Sequence, residues 1–252
     1  VTTADRPLLL VTGGSRGIGA AVCRAAARAG YDVVVNYRSD EAAAASVVAD
    51  VQSQGRRALA VAADMAVEAD ILRLFAEVDG FGRLTHVVNN AGVTGRSSKL
   101  ADATTDTIRS TIDINVTGAI LVCREAVKRL STARGGPGGA IVNLSSAAAT
   151  IGGVNEYVWY AASKGAIDTL TIGLSKEVAL EGIRVNSVQP GLIDTEIHAL
   201  STGDGARVAR MIPLIPVQRT GTAEEVAETI LFLLGPQASY VTGAILRVAG
   251  GR

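Results

Sequence analysis

The chain has 252 residues, 48% hydrophobic and 19% charged, with 24 basic side chains against 24 acidic ones. That balance leaves no basic footprint for sequence-independent binding to nucleic acid or to an anionic membrane, and no apolar run approaches the ~18 residues of a membrane span. Only three Phe, five Tyr and one Trp accompany 28 Gly, so the core must come from Ala, Val, Ile and Leu, with helices packed closely on a sheet.

Short β-branched or Leu-rich runs alternate with Ala-rich stretches from end to end, the pattern of βαβ units in a parallel sheet. Strands are predicted at Leu8 to Thr12, Asp32 to Asn36, Ala58 to Ala62, His86 to Asn89, Ala140 to Leu144, Arg184 to Gln189 and Ile245 to Val248. Helices are predicted over 17–29, 40–54, 68–79, 104–132, 157–181 and 222–234. The expected class is α/β: a single domain over residues 1–252, with a seven-stranded, mostly parallel, doubly wound sheet and helices on both faces. The first residues, VTTADRPLLL, lack the long apolar stretch of a secretion signal, so a soluble cytoplasmic protein is expected. Cys23 and Cys123 fall in helical segments without CxxC spacing and read as reduced packing thiols. His86 and His198 stand far apart with no HExxH spacing, so no metal site is expected. The longest irregular stretch, 190–221, contains Pro213 and Pro216. Its apolar members Ile193, Ile197, Leu200, Met211, Ile212, Leu214 and Ile215 suit a lid over a pocket, or else a helical hairpin at a subunit contact.

Two local patterns carry chemistry. Thr12-Gly13-Gly14-Ser15-Arg16-Gly17-Ile18-Gly19 follows the first strand and opens a helix directly. Glycines there permit a sharp turn and close backbone approach, and the helix N-terminus offers unpaired N–H groups to a pyrophosphate. The spacing departs from GxGxxG and lacks the GK[ST] of a triphosphate loop, so a tight turn without ligand is the alternative. Tyr160 and Lys164 are four apart at the start of a predicted helix and share one face. A neighbouring ammonium stabilises a phenolate and brings tyrosine down from about 10 toward a working acid or base. With four lysines and five tyrosines in the chain, a chance Tyr-x-x-x-Lys is expected only about 0.1 times. An exposed helix-face Tyr beside a solvated Lys is the alternative. Asn115 sits in the long helix between Ile114 and Val116, where Asn is a poor helix former.

The Gly-rich turn, Asn89-Asn90-Ala91-Gly92 after the fourth strand, Asn115, Ser146, Tyr160 with Lys164, and Pro190-Gly191 together resemble the short-chain dehydrogenases/reductases, in family order from Leu8 to Gly251. The resemblance implies a Rossmann domain that binds a nicotinamide cofactor and interconverts an alcohol and a ketone or aldehyde by hydride transfer without metal. It assigns the catalytic group to Asn115, Ser146, Tyr160 and Lys164. Tyr160 is the acid/base, Lys164 supports its phenolate and Ser146 donates to the substrate oxygen. Asn115 bends its helix and holds a water linked to Lys164. The 147–159 loop is one residue longer than in most relatives, so the adjacent Ser145 stays open as an alternative to Ser146. Implied cofactor contacts are Gly13, Ser15, Arg16, Gly17, Ile18, Gly19, Tyr37, Arg38, Asp64, Met65, Asn90, Ala91, Gly92, Tyr160, Lys164, Pro190, Gly191, Ile193 and Thr195.

Of these, Asp64 resembles the adenine-contacting position or is a solvated loop acid. Asn90 and Gly92 touch the ribose or only brace the sheet. Tyr37 stands where NAD-selective relatives carry Asp, and Arg16 and Arg38 can flank a 2′-phosphate, which favours NADP(H). Asp40 and Glu41, about 20 residues past the turn, argue for NAD(H) instead, although Ser39 reads as an N-cap with acids in the first turn. Val154, Asn155, Glu156, Tyr157 and Trp159 are expected to supply substrate wall. The nearest groups are the 3-oxoacyl-carrier-protein reductases and glucose dehydrogenases. The expected substrate is a small carbonyl or alcohol, or one linked to an acyl carrier protein if Arg134 and Lys176 flank the mouth. An NAD-preferring sugar or polyol dehydrogenase and a non-catalytic dinucleotide sensor are the alternatives. The last strand resembles one that packs between subunits, with Ala249 where relatives often have Asp, and a homotetramer is expected.

Overall fold

The computed structural model describes residues 6–195 and 207–252. Its strands are β1 (Leu8–Val11), β2 (Asp32–Tyr37), β3 (Ala58–Ala62), β4 (Leu84–Asn89), β5 (Gly139–Leu144), β6 (Ile183–Pro190) and β7 (Ile245–Val248). They form one sheet in the order β3-β2-β1-β4-β5-β6-β7, and every adjacent pair is parallel. A sheet expected to be mostly parallel is therefore wholly so. Parallel neighbours require a crossover over one face, and the helices supply it.

Both faces are covered, which is why the strands read as continuous apolar runs. In β1, Leu9 and Val11 join a core under α1 (Gly17–Arg28), α2 (Glu41–Ser53) and α9 (Ala223–Leu234). Leu8 and Leu10 join the opposite core under α3 (Glu68–Phe81) and α5 (Ala119–Leu130), with α7 (Val158–Glu177) packed against it. Each of these fully buried side chains is worth roughly 1.5–3 kcal/mol. Ala20, Ala21, Ala25, Ala26 and Ala27 of α1 are buried, and such small residues let that helix lie close on the sheet. Cys23 and Cys123 are free and buried, and burial pushes both thiols up to about 12. No helix among the described residues is long and apolar enough to cross a membrane.

Three local expectations need correction. The helix predicted over 104–132 is broken: α4 (Thr105–Ile112) leads into a π-helical turn, Asp113–Gly118, before α5. Asn115 lies in that turn because its side chain bonds to the Val93 backbone rather than facing solvent, and the wide turn is what such an insertion produces. The N-cap of α2 is Asp40, not Ser39: the Asp40 carboxylate accepts from the Ala43 N–H at 2.9 Å. The Asp40 side chain stands where an oxygen reaches the N3 N–H, and a carboxyl group there also suits the positive end of the helix. The helix predicted to reach 181 ends at Glu177, followed by a 3₁₀ turn, Ala179–Glu181. Ile197, His198 and Leu200 lie outside the described residues.

Candidate active site

Strand order reverses between β1 and β4, and a cleft opens there at the carboxyl ends of the strands, as expected for this topology. The Gly-rich turn at its floor is held from three strands. Thr12 Oγ1 accepts from the Asn90 and Ala91 N–H groups, both at 3.0 Å. Asn90 Nδ2 donates to the Thr12 and Gly13 carbonyls at 2.9 and 3.0 Å. The Gly13 N–H donates to Asn36 Oδ1 at 3.1 Å, while Asn36 Nδ2 donates to the Val61 and Ala63 carbonyls. A Cβ at Gly19 would drive into the Gly13 carbonyl and come within 2.7 Å of Asn90 Nδ2, so only glycine lets the helix start this close to the turn. The first turn of α1 carries no acid and no side-chain cap, which leaves its N-terminal dipole directed at the cleft.

This nucleotide-sized chamber measures about 420 Å³ and is lined by Gly13, Ser15, Arg16, Gly17 and Ile18 of the turn. Tyr37 and Arg38 line it from the end of β2, Asp64 and Met65 follow β3, and Asn90, Ala91 and Gly92 follow β4. Gly19 lies beneath the turn rather than on the wall. Asp64 Oδ1 caps its own turn by accepting from the Ala66 N–H at 2.9 Å. Asn90 braces the turn through its amide nitrogen.

A second chamber of about 490 Å³ opens beside the first and shares Ile18, Asn90, Gly92, Thr94 and Thr195 with it. Ser146, Tyr160, Lys164, Pro190, Gly191 and Ile193 line it. Tyr160 and Lys164 project from one face of α7, whose first turn is pinned by the Trp159 indole N–H donating to the Thr94 carbonyl at 2.9 Å. Trp159 is thus turned inward and buried, not part of the wall as expected. Burial holds the Tyr160 pKa above its ordinary value, rather than below it as expected, and the neighbouring Ser146 hydroxyl offsets only part of the rise. Lys164 is 5% exposed; its Nζ donates to the Leu144 carbonyl at 2.6 Å and stands 5.8 Å from the Tyr160 ring centroid. Burial pushes its pKa down to about 8, against the opposing pull of Asp168. A neutral or cationic amine is therefore accessible near physiological pH.

The two serines separate clearly. Ser145 Oγ is buried and donates to the Lys164 carbonyl at 3.0 Å. Ser146 Oγ accepts from the Ala148 N–H at 3.1 Å, at the start of the short helix α6 (Ala148–Ile151), and stays beside Tyr160. Asn115 is 1% exposed and lines neither chamber. Its Oδ1 accepts from the Val93 N–H and its Nδ2 donates to the Val93 carbonyl, both at 2.8 Å, and to Ser163 Oγ at 3.0 Å. At Gly92 a Cβ would stand 3.2 Å from Asn115 Oδ1 and 3.3 Å from Lys164 Nζ, so the β4 turn closes tightly over both.

Two residues emerge that sequence reasoning did not single out. Asp168, one turn beyond Lys164, accepts from Gln189 Nε2 at 2.7 Å and from Ser187 Oγ at 3.4 Å; the Tyr160, Lys164, Asp168 spacing of four was its available signal. Arg207 lines the second chamber and pairs with Glu156, a contact across 51 positions that leaves no local signature. Arg134 and Lys176 are exposed and line neither chamber.

A doubly wound sheet with a glycine turn at its switch point, and a Tyr/Lys pair in the adjoining chamber, define a dinucleotide-binding architecture. The family model described as enoyl-(acyl carrier protein) reductase matches residues 13–252. The uncharacterized oxidoreductase YgfF of Escherichia coli strain K12 is 49% identical over 246 residues, covering 97% of this chain and 99% of that protein. The crystal structure of a short chain dehydrogenase from Burkholderia cenocepacia J2315 in complex with NADP has a TM-score of 0.89 at 36% identity, covering 97% of each chain. The 3-ketoacyl-(acyl-carrier-protein) reductase from Brucella melitensis, complexed with NADH, has a TM-score of 0.89 at 30% identity and 98% coverage of each chain. The chain belongs to the short-chain dehydrogenase/reductase family of oxidoreductases.

Proposed function

We propose that this protein is an NADP(H)-preferring oxidoreductase that interconverts an alcohol and a ketone or aldehyde, with Tyr160 as acid/base. The observation that carries the reading is the adjacency of the two chambers, one walled by the glycine turn and the other by Ser146, Tyr160 and Lys164. The uncapped α1 N-terminus and the glycine cradle fit a pyrophosphate. When bound, the nicotinamide supplies or accepts the hydride. In reduction, Tyr160 gives its phenolic proton to the carbonyl oxygen as negative charge develops there, and Ser146 donates a hydrogen bond to the same oxygen. The Lys164 ammonium favours the resulting phenolate. The side chain of Asn115 bonds to Val93 and Ser163 and so fixes the π turn, from which it is proposed to hold a water linked to Lys164. Oxidation of the alcohol runs the same proton path backwards.

Preference for the 2′-phosphate rests on Tyr37 in place of an acid at the end of β2, with Arg16 and Arg38 on the chamber wall. Asp40 lines that wall as well and supports NAD(H) as the second reading, but one of its oxygens is engaged by the α2 cap. Gly191, Leu192, Ile193 and Thr195, from the stretch expected to form a lid, line the second chamber, and Ile193 is buried and bridged to Gly221. The substrate is a small carbonyl or alcohol, and a homotetramer is the assembly expected.

Tyr160→Phe assayed with NADPH and a reactive diketone should lose activity by about 100-fold or more; a rate equal to wild type refutes the mechanism. Neutralising Arg16 and Arg38 together should weaken NADPH by about tenfold or more while changing NADH little. An unchanged preference refutes the clamp.

A further inference from the structure

We propose that Arg207 is a positioning residue for the substrate side of the site, acting through Glu156 and Tyr157 on the wall beside Tyr160; the inference rests on the oxidoreductase reading above. Arg207 opens α8 (Arg207–Met211), and its side chain is 5% exposed. A guanidinium so buried needs matched partners. Its Nε donates to Glu156 Oε1 and one terminal nitrogen to Glu156 Oε2, both at 2.7 Å, a two-point fork. The same terminal nitrogen donates to the Tyr157 hydroxyl at 2.6 Å, and the guanidinium carbon lies 5.7 Å from the Tyr157 ring centroid.

Those partners belong to the loop that precedes Tyr160. The Glu156 carbonyl accepts from the Ser98 N–H at 2.8 Å, which ties the loop to the segment after β4. Asn155 is held at φ +62, left-handed backbone that Asn tolerates but does not favour. The Tyr157 ring meets the Tyr160 ring edge-on, with centroids 5.4 Å apart and planes at 86°. A path of contacts therefore runs from Arg207 through the Tyr157 hydroxyl and ring to the Tyr160 ring. Arg207, Glu156, Tyr157 and Tyr160 all line the second chamber, and none lines the first. Arg207 thus bears on the carbonyl substrate's placement against Tyr160, away from the chamber of the glycine turn. The Glu156 carboxylate also neutralises the guanidinium, so the pair shapes the wall without presenting a net charge to the substrate.

The test uses Arg207→Met, Arg207→Lys, Glu156→Gln and the double variant Arg207→Met/Glu156→Gln in the full chain. Steady-state kinetics are measured with NADPH and a diketone. NADPH affinity is read from energy transfer out of Trp159, the one tryptophan in the chain. Arg207→Met should lower kcat/KM about tenfold with NADPH affinity unchanged within about twofold, Arg207→Lys should recover part of the loss, and the double variant should be no worse than Arg207→Met. If Arg207→Met does not fold, Glu156→Gln, at a half-exposed position, reads the same contact and should lower kcat/KM with NADPH affinity kept. Wild-type kcat/KM in either soluble variant, losses that multiply in the double variant, or an equal loss of NADPH affinity overturns the proposal. Full activity of Tyr160→Phe in the same assay would instead remove the reading on which it rests.

Discussion

Replacing Lys164 by Met should make the protein more stable and inactive. In the fold, burial takes the lysine from 10.5 to about 8, and at 1.36 kcal/mol per pKa unit this costs the native state on the order of 3 kcal/mol while the amine is charged. Met keeps the length and apolar stem of the side chain but leaves the Leu144 carbonyl without its donor, a loss of about 1 kcal/mol. The net gain at pH 7 is therefore about 2 kcal/mol, or roughly 4–8 °C in Tm for a chain of this size. The pH dependence has a definite sign. Because the folded pKa is depressed, the penalty on wild type is fully present below pH 8. It fades between pH 8 and 10.5, where the folded lysine has lost its proton and the unfolded one still holds it. By pH 10 the remaining penalty is about 1 kcal/mol and the two proteins should have nearly equal stability. Urea unfolding of both at pH 7 and pH 10, with no nucleotide added, measures this directly. A variant less stable than wild type at pH 7, or a difference that stays constant between the two pH values, would refute the reasoning.

Asn115→Ala strips the Val93 N–H and carbonyl of their partners and should cost about 2–4 kcal/mol, read as a drop in Tm of roughly 5–12 °C; a shift under about 2 °C would mean the π turn does not depend on this amide. Gly19→Ala forces a methyl against the Gly13 carbonyl, and the displaced turn should weaken NADPH by about tenfold and stability by about 1–3 kcal/mol. Unchanged affinity in a fluorescence titration would show that the turn can relax.

The strands were legible because most are short runs rich in Val, Ile, Leu or Ala with Gly, Asn or Asp near their ends, and a sheet buried on both faces needs little more than that. Tyr160 with Lys164 was legible for a different reason: both lie on one helix turn, so spacing alone brings them together. What escaped has a common physical cause. Whether Asn115 sits in an α or a π turn depends on the Val93 backbone, 22 positions away. Whether Trp159 faces the pocket or the core depends on the Thr94 carbonyl, 65 positions away. Arg207 carries no local signature, because its partner Glu156 lies 51 positions away. The Asp40 cap is the exception, a local contest between two neighbouring acceptors that reach to the N3 N–H decides.

Beneath the site runs a layer of polar side chains at the carboxyl end of the sheet, and it explains why the reactive pair can be held where it is. Asn89 and Asn143 face each other across β4 and β5 and share a hydrogen bond of 3.3 Å. Asn143 Nδ2 reaches Thr171 Oγ1 on α7 at 3.0 Å, while Asn89 Nδ2 reaches the Ala119 carbonyl at the start of α5 at 3.0 Å. These side chains are at most 5% exposed, so each bond left unmade would cost the desolvation of its groups. The bonds therefore admit one register of α5 and α7 against the sheet. Leu at both 89 and 143 would fill the space as an apolar core does, but the pair would let α5 and α7 slide without leaving an asparagine amide stranded. The fixed register sets Lys164 Nζ on the Leu144 carbonyl and holds Tyr160 one turn before it. The buried lysine lowers stability and the asparagine layer resists the rearrangement that would relieve it, so the strained group and its scaffold are parts of one design.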